Sequence, residues 1–271
     1  MSRNLIIRTI VAVIFGPLII LISYLGGNWL AGMILLLAAL GIIEFMLDIK
    51  ISAGSPSFWV TLLFTLGIIV AGIYLEPEWS LRLFVGYFLC IGVITAGRGA
   101  EPAELYKQNS ALVWGVAYLA LLYPFLYYIR ELVPGHGGDW LLFLWGTLWL
   151  SDTLAMAVGK GIGRKKLVPK ISPNKTVAGF LGGLFGGLVI ALILGYWLLS
   201  DVMLILLLGA GLAVSLVGQM GDLVESVWKR ALGIKDSSAI IPGHGGILDR
   251  FDSLLFAAPV LFWYLKYIVY G

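Results

Sequence analysis

Charge is scarce in this chain: of 271 residues, 18 are Lys or Arg and 15 are Asp or Glu, 12% in all. With 60% hydrophobic residues and a mean hydropathy of +0.99, that shortage excludes an ordinary soluble domain, in which about a quarter of residues are charged. Cysteine is scarcer still. Cys90 stands alone, which excludes an intramolecular disulfide and leaves no Cys cluster for zinc or an iron–sulfur centre. No internal repeat, low-complexity tract or loop of soluble-domain size interrupts the pattern. A cleavable leader is not expected either, because the first apolar run continues from Leu5 to about Leu25, long enough to span a bilayer and stay there.

What the chain has in abundance is long apolar runs, at 5–25, 29–47, 57–75, 82–97, 110–129, 140–159, 177–199, 202–221 and 253–270, the fourth being short. They predict an all-α polytopic membrane protein, a bundle of about nine transmembrane helices, since hydrocarbon offers backbone groups no partner but one another. A barrel would instead alternate apolar and polar residues. Taking the N-terminus as cytoplasmic places 14 of the 18 basic residues in the inner segments, with only Arg8, Arg82, Arg130 and Lys266 elsewhere. The positive-inside rule therefore predicts N-terminus in and C-terminus out, with the polar motifs facing the cytoplasm. The chain reads as one integral membrane domain, 1–271, in which 1–130 is mostly helical scaffold and 140–271 carries the motifs.

Those motifs concentrate the polar residues. On a helix continuing from the eighth run, Glu225, Ser226 and Lys229 share a face with Asp222, and Ser215 and Gln219 extend the stripe into the bilayer. A solvated surface helix with an internal Asp222–Lys229 pair is the plainer account of that stripe. The second half of the motif, Pro242-Gly243-His244-Gly245-Gly246, is a turn whose glycines permit close backbone approach to a ligand. Asp249 and Asp252 follow where the last helix must begin; Asp252 reads equally as a helix cap and as a ligand. Asp222 and Asp249 are the pair suited to Mg²⁺, whose usual companions are nucleotide phosphates; a second cation is compatible with this. His244 reads either as a general base or as a structural, phosphate-contacting residue. Asp152, about two turns inside the sixth run, is a carboxylate at membrane depth and so a functional candidate. The basic loop after it serves topology and anionic lipid, which accounts for its charges but not for Ser172-Pro173-Asn174-Lys175-Thr176. Glu44 in the second run reads as a buried functional carboxylate or a helix-packing partner.

In register from Ser226, the residues Lys229, Arg230, Lys235, Asp236, Pro242, His244, Gly245, Gly246, Asp249, Arg250 and Asp252 resemble the signature of the phosphatidate cytidylyltransferases (CDP-diacylglycerol synthases). A second block, from Trp149 through Asp152 and Gly159 to Lys175 and Gly179, resembles the same family over about 140–260. Trp228, Met156 and Ala178 depart from its pattern, and the last puts a carboxylate or amide role at that position in doubt. The resemblance implies a nucleotidyltransferase of phospholipid biosynthesis in the cell inner (plasma) membrane, making CDP-diacylglycerol and pyrophosphate from CTP and phosphatidic acid. It assigns Asp222 and Asp249 to metal. It assigns Lys229, Arg230 and Arg250 to phosphate groups, and Asp152, Ser172, Lys175, Ser226, Lys235, Asp236, His244, Gly245 and Gly246 to substrate. Membrane lipids are the expected surroundings, a homodimer is compatible and no nucleic-acid partner is expected. No P-loop and no Ser–His–Asp set is present, so the nucleotide would be held by metal and cations, without a covalent intermediate. A secondary transporter, a non-catalytic lipid-binding scaffold, an enzyme for an isoprenoid-ether phosphate and a CTP-dependent lipid kinase are the other readings.

Overall fold

The computed structural model describes residues 3–234, 237 and 246–271, without the side chains of 3–12 and Pro77. The backbone is almost wholly helical: α1 (Arg3–Leu25), α2 (Gly27–Asp48), α3 (Pro56–Tyr74), α4 (Pro77–Ala96), α5 (Pro102–Ala120), α6 (Pro124–Leu132), α7 (Gly137–Ile162), α8 (Val177–Trp197), α9 (Leu204–Ala231) and α10 (Leu248–Tyr264). A π-helical turn, Leu265–Val269, continues α10. Among the described residues, eight helical segments are long and apolar enough to cross a membrane, and Val13–Leu25 of α1 is a shorter apolar helix. The chain is a multi-pass helical membrane protein, as its hydropathy predicts.

Local chemistry sets the helix boundaries. Ser55 caps α3 by accepting from the Phe58 N–H at 3.4 Å, with Pro56 in the first turn where its missing donor costs nothing. The run expected at 82–97 proves to be a full span of 20 residues, because the helix begins earlier, at Pro77, and Glu78 pairs with Arg82 one turn on at 3.0 Å. The run expected at 110–129 is interrupted before Pro124, where proline removes a helical donor and clashes with the preceding turn. The last helix starts at Leu248 rather than 253. Asp252 therefore lies inside α10 and is not its cap.

By contact the chain forms two compact units, one of Met1–Arg8, Gly27–Tyr127 and Asp236–Arg250, the other of Thr9–Gly26, Tyr128–Lys235 and Phe251–Gly271. In the first, α2, α3, α4 and α5 bury Leu30, Ile34, Phe45, Ile68 and Leu119. A buried hydrogen bond of 3.1 Å joins Thr61 Oγ1 and Tyr87 Oη.

The second unit is organised by glycine. On α8, Gly179, Gly182 and Gly186 face α7, where an added Cβ would come within 2.7 Å of the Ala155 carbonyl, 2.8 Å of Val158 and 3.0 Å of Leu150 and Ser151. Gly183, Gly187 and Gly195 face α9, against Gln219, Gly211 with Ser215, and Leu207. Lipid gives apolar helices little reason to associate, so close backbone approach and dispersion supply the attraction that burial supplies in water.

The basic stretch expected as a loop folds as a two-stranded antiparallel hairpin, β1 (Lys166–Val168) and β2 (Ser172–Thr176), with Lys166 opposite Thr176 and Val168 opposite Ser172. Thr176 ends β2 and caps α8, accepting from the Gly179 N–H at 3.1 Å. Gly159, Gly163 and Gly179 close around its hydroxyl so tightly that a Cβ on any of them would crowd it. The glycines flanking the basic residues therefore make room for a threonine.

Candidate functional site

A cleft of about 700 Å³ opens in the second unit between α7, the hairpin, α8 and α9. Asp152, Met156 and Lys160 line it from α7, Lys166, Ser172 and Lys175 from the hairpin, and Gln219 and Asp222 from α9. Asp222 lies where the sequence puts it, on a helix running past the membrane span. Its Oδ2 pairs with Lys175 Nζ at 2.6 Å, and its Oδ1 accepts from Ser226 Oγ at 3.5 Å. Gln219, one turn deeper, reaches across to the Phe180 carbonyl at 3.3 Å. Ser215, deeper again, turns back on its own helix, donating to the Gly211 carbonyl at 2.7 Å, and adds nothing to the cleft.

Four candidates from distant stretches of sequence, Asp152, Ser172, Lys175 and Asp222, thus meet in one cavity. Lys160, Lys166 and Asn174 join them. The charges of Lys160 and Lys166 fit topology and anionic lipid when only the sequence is considered, and Asn174 falls in the run which those do not explain; the end of α7 and the hairpin bring all three to the cleft. Neither Lys160 nor Lys166 has a carboxylate partner among the described residues. The cleft therefore sets three lysines against the two carboxylates Asp152 and Asp222, an excess of positive charge that suits a polyanion.

The motif cations are placed differently from one another. Lys229 is buried and pairs with Glu225 at 3.6 Å, not with Asp222 as an isolated helix face would suggest. Arg230 donates from Nε to the Ile171 carbonyl at 3.2 Å and from a terminal nitrogen to the Ile234 carbonyl at 2.8 Å, strapping the hairpin turn to the end of α9. That strap holds Ser172 and Lys175 opposite Asp222. Asp252, buried in α10, lies within hydrogen-bonding reach of Glu225 and in the field of Asp222 and Lys229.

Asp249 belongs to the first unit. Its Oδ2 accepts from the Ser237 N–H at 3.2 Å, from Ser237 Oγ at 3.0 Å and from the Gly246 N–H at 2.9 Å, which fixes the orientation of the carboxylate. Arg250 is exposed on the following position of α10. Lys235, Asp236, His244 and Gly245 lie outside the described residues.

No group of three or more His, Cys, Asp or Glu side chains suited to a metal occurs among the described residues. Mg²⁺ does not require one: it keeps several waters and takes one or two carboxylates together with substrate phosphates. The donor chemistry at Asp222 fits such an ion. A hard carboxylate lines a polar cleft and a hydroxyl stands beside it.

The cytidylyltransferase family model matches residues 6–268. The phosphatidate cytidylyltransferase of Staphylococcus aureus (strain COL) is 48% identical over 156 residues, that of Staphylococcus saprophyticus 46% and that of Staphylococcus epidermidis (strain ATCC 35984) 40%. In each case the aligned stretch spans 58% of this chain and 58% of the relative's length. The match covers nearly the whole chain, including every helix that lines the cleft, and the chain belongs to the cytidylyltransferase family.

Proposed function

We propose that the protein is a phosphatidate cytidylyltransferase, joining CTP to phosphatidic acid to give CDP-diacylglycerol and pyrophosphate for phospholipid synthesis. The observation that carries this reading is the Lys175–Asp222 pair in a lysine-lined cleft of an otherwise apolar helical protein. Family membership and the named relatives support it.

In this reaction a phosphate-monoester oxygen of the lipid attacks the α-phosphorus of CTP. The bond to the β-phosphate oxygen breaks, and pyrophosphate leaves with the electron pair. The nucleophile is already anionic near neutral pH, so proton removal is a small part of the barrier. The larger part is bringing two anions together while charge gathers on the leaving group. Lys160, Lys166 and Lys175 answer that need by holding phosphate oxygens in place, and the Arg230 strap keeps the hairpin that carries two of them against α9. Mg²⁺ held by Asp222 would neutralise phosphate charge and orient the triphosphate; Asp249, in the first unit, is likewise proposed as a metal ligand. Lys229, buried against Glu225, supports the helix end rather than the substrate.

Detergent-solubilised protein given CTP, phosphatidic acid and Mg²⁺ is expected to form CDP-diacylglycerol and pyrophosphate, and chelation of divalent metal to stop it. Turnover surviving exhaustive chelation would remove the metal from the mechanism. Phosphorylation of a lipid by CTP, with CDP as product, would assign the cleft to a kinase instead.

The active cleft is proposed to face the cytoplasm, on the weight of basic residues around it. After removal of Cys90, a single cysteine at Lys166 is expected to react with an impermeant reagent only from the cytoplasmic side. One at Glu78 or His136 is expected to react only from outside. The opposite pattern would invert the topology.

A further inference from the structure

One buried carboxylate lies far along the sequence from every motif. Glu44, near the C-terminal end of α2, is 1% exposed and belongs to the first unit. Its Oε2 accepts a 2.7 Å hydrogen bond from the Ile247 N–H, 203 residues later in the chain. The next residue back is packed against the same group: a Cβ on Gly246 would run into Glu44 Oε1 and Ser237 Oγ. Gly246 therefore has to be glycine for a reason of space. One turn earlier on α2, Gly41 makes similar room, with Leu248 Cδ2 3.3 Å from where its Cβ would stand.

The Gly246 N–H is held by Asp249 and the Ile247 N–H by Glu44, so two carboxylates grip consecutive amides at the start of α10. Ile247 immediately precedes the helix, where amides have no acceptor within the helix itself and an anion meets the positive end of the helix dipole. A buried acid in a membrane-spanning segment is costly unless it does something specific. Among the described residues Glu44 Oε1 has no hydrogen-bond partner, so the contact with Ile247 is what orients the group.

We propose that Glu44 is a positioning residue for the reaction: it fixes Gly246 and Ile247, and through them the Asp249 carboxylate, in the orientation in which that carboxylate would hold a metal ion. The inference rests on the reading of Asp249 given above. It also assigns a role to a position that the motifs do not cover.

The test uses the full chain in detergent, with Glu44→Gln, Glu44→Ala, Gly246→Ala and the double variant Gly246→Ala/Glu44→Asp. Three quantities are read: hydrogen–deuterium exchange of the peptide containing Ile247 without substrates, Mn²⁺ binding by electron paramagnetic resonance, and CTP turnover. In Glu44→Ala, exchange is expected to rise, and Mn²⁺ affinity and kcat each to fall roughly 10- to 100-fold, the range for removing a partner that orients a metal ligand. KM for CTP is expected to change by less than about twofold, since the residue touches no substrate. Glu44→Gln keeps an acceptor oxygen and should fall between parent and Glu44→Ala; if the alanine variant does not fold, the glutamine variant decides by the same readouts. Gly246→Ala should lose activity, and shortening Glu44 to Asp in the double variant should restore part of it, a non-additivity that independent sites do not show. Parental exchange and Mn²⁺ affinity in both Glu44 variants would overturn the proposal. Raised exchange with Mn²⁺ binding unchanged, in Asp249→Asn as well, would overturn the metal role of Asp249 and leave Glu44 as an anchor of the loop alone.

Discussion

Asp222→Asn is expected to lower CTP turnover by at least about 100-fold, roughly 2.7 kcal/mol of transition-state stabilisation, in protein that inserts and purifies as the parent does. The change keeps the shape of the side chain and an acceptor for Ser226, but removes the charge that pairs with Lys175 at 2.6 Å. A hard cation loses its anionic oxygen, and Lys175 loses the group that aims it. Asp249→Asn is expected to be as severe for a related reason. An amide oxygen can still accept from Ser237 and Gly246, so these contacts survive, while the negative charge at the carboxylate is gone. His244→Gln should be milder, because the lipid phosphate needs little help to lose a proton. Turnover by radiolabelled CTP, beside melting curves of each variant, separates these outcomes. Near-parental rates in folded Asp222→Asn and Asp249→Asn would remove the metal site, and an inactive His244→Gln would reinstate general-base catalysis.

Gly187→Val is expected to have the largest effect on the fold itself. A Cβ at this position would meet the backbone carbonyl of Gly211 and stand 2.6 Å from Ser215 Oγ, and the carbonyl cannot move without displacing α9. Reciprocally, a Cβ on Gly211 would meet the Gly187 carbonyl, so the two helices touch backbone to backbone. Overpacking of this kind costs about 3 kcal/mol or more when the neighbour is backbone. For a chain of this size that corresponds to a fall of roughly 6–12 °C in melting temperature. Because Asp222 is carried on α9 and Lys175 leads into α8, turnover should fall with it. Gly32→Ala is the control: nothing lies within 4 Å of its Cβ, and an exposed helical glycine is replaced by a better helix former. Equal melting temperatures for the two variants would mean that α8 and α9 are not held by close approach.

The hydropathy of the chain determined its membrane-spanning helices, because a bilayer permits a long apolar run little else. The two-block pattern determined its family, because so many polar residues in fixed register within an oily chain have few other uses. The sequence likewise placed Asp222 on a helical extension of a span, since the periodicity of Asp222, Glu225, Ser226 and Lys229 is local. Partnership across the chain was not legible. Helical spacing pointed Lys229 at Asp222, whereas the fold gives Lys229 to Glu225 and brings Lys175 from a hairpin to Asp222. That hairpin was hidden because its strands are three and five residues long and carry the charges expected of a loop. Asp252 reads as a cap in the sequence because the apolar run starts just after it; Glu44 and Asp249 provide the acceptors that let the helix start at Leu248. Hydropathy and local periodicity are properties of neighbours along the chain and can be read there. Which carboxylate meets which cation or amide depends on how helices pack, and here packing turns on glycines whose contacts only the tertiary structure reveals.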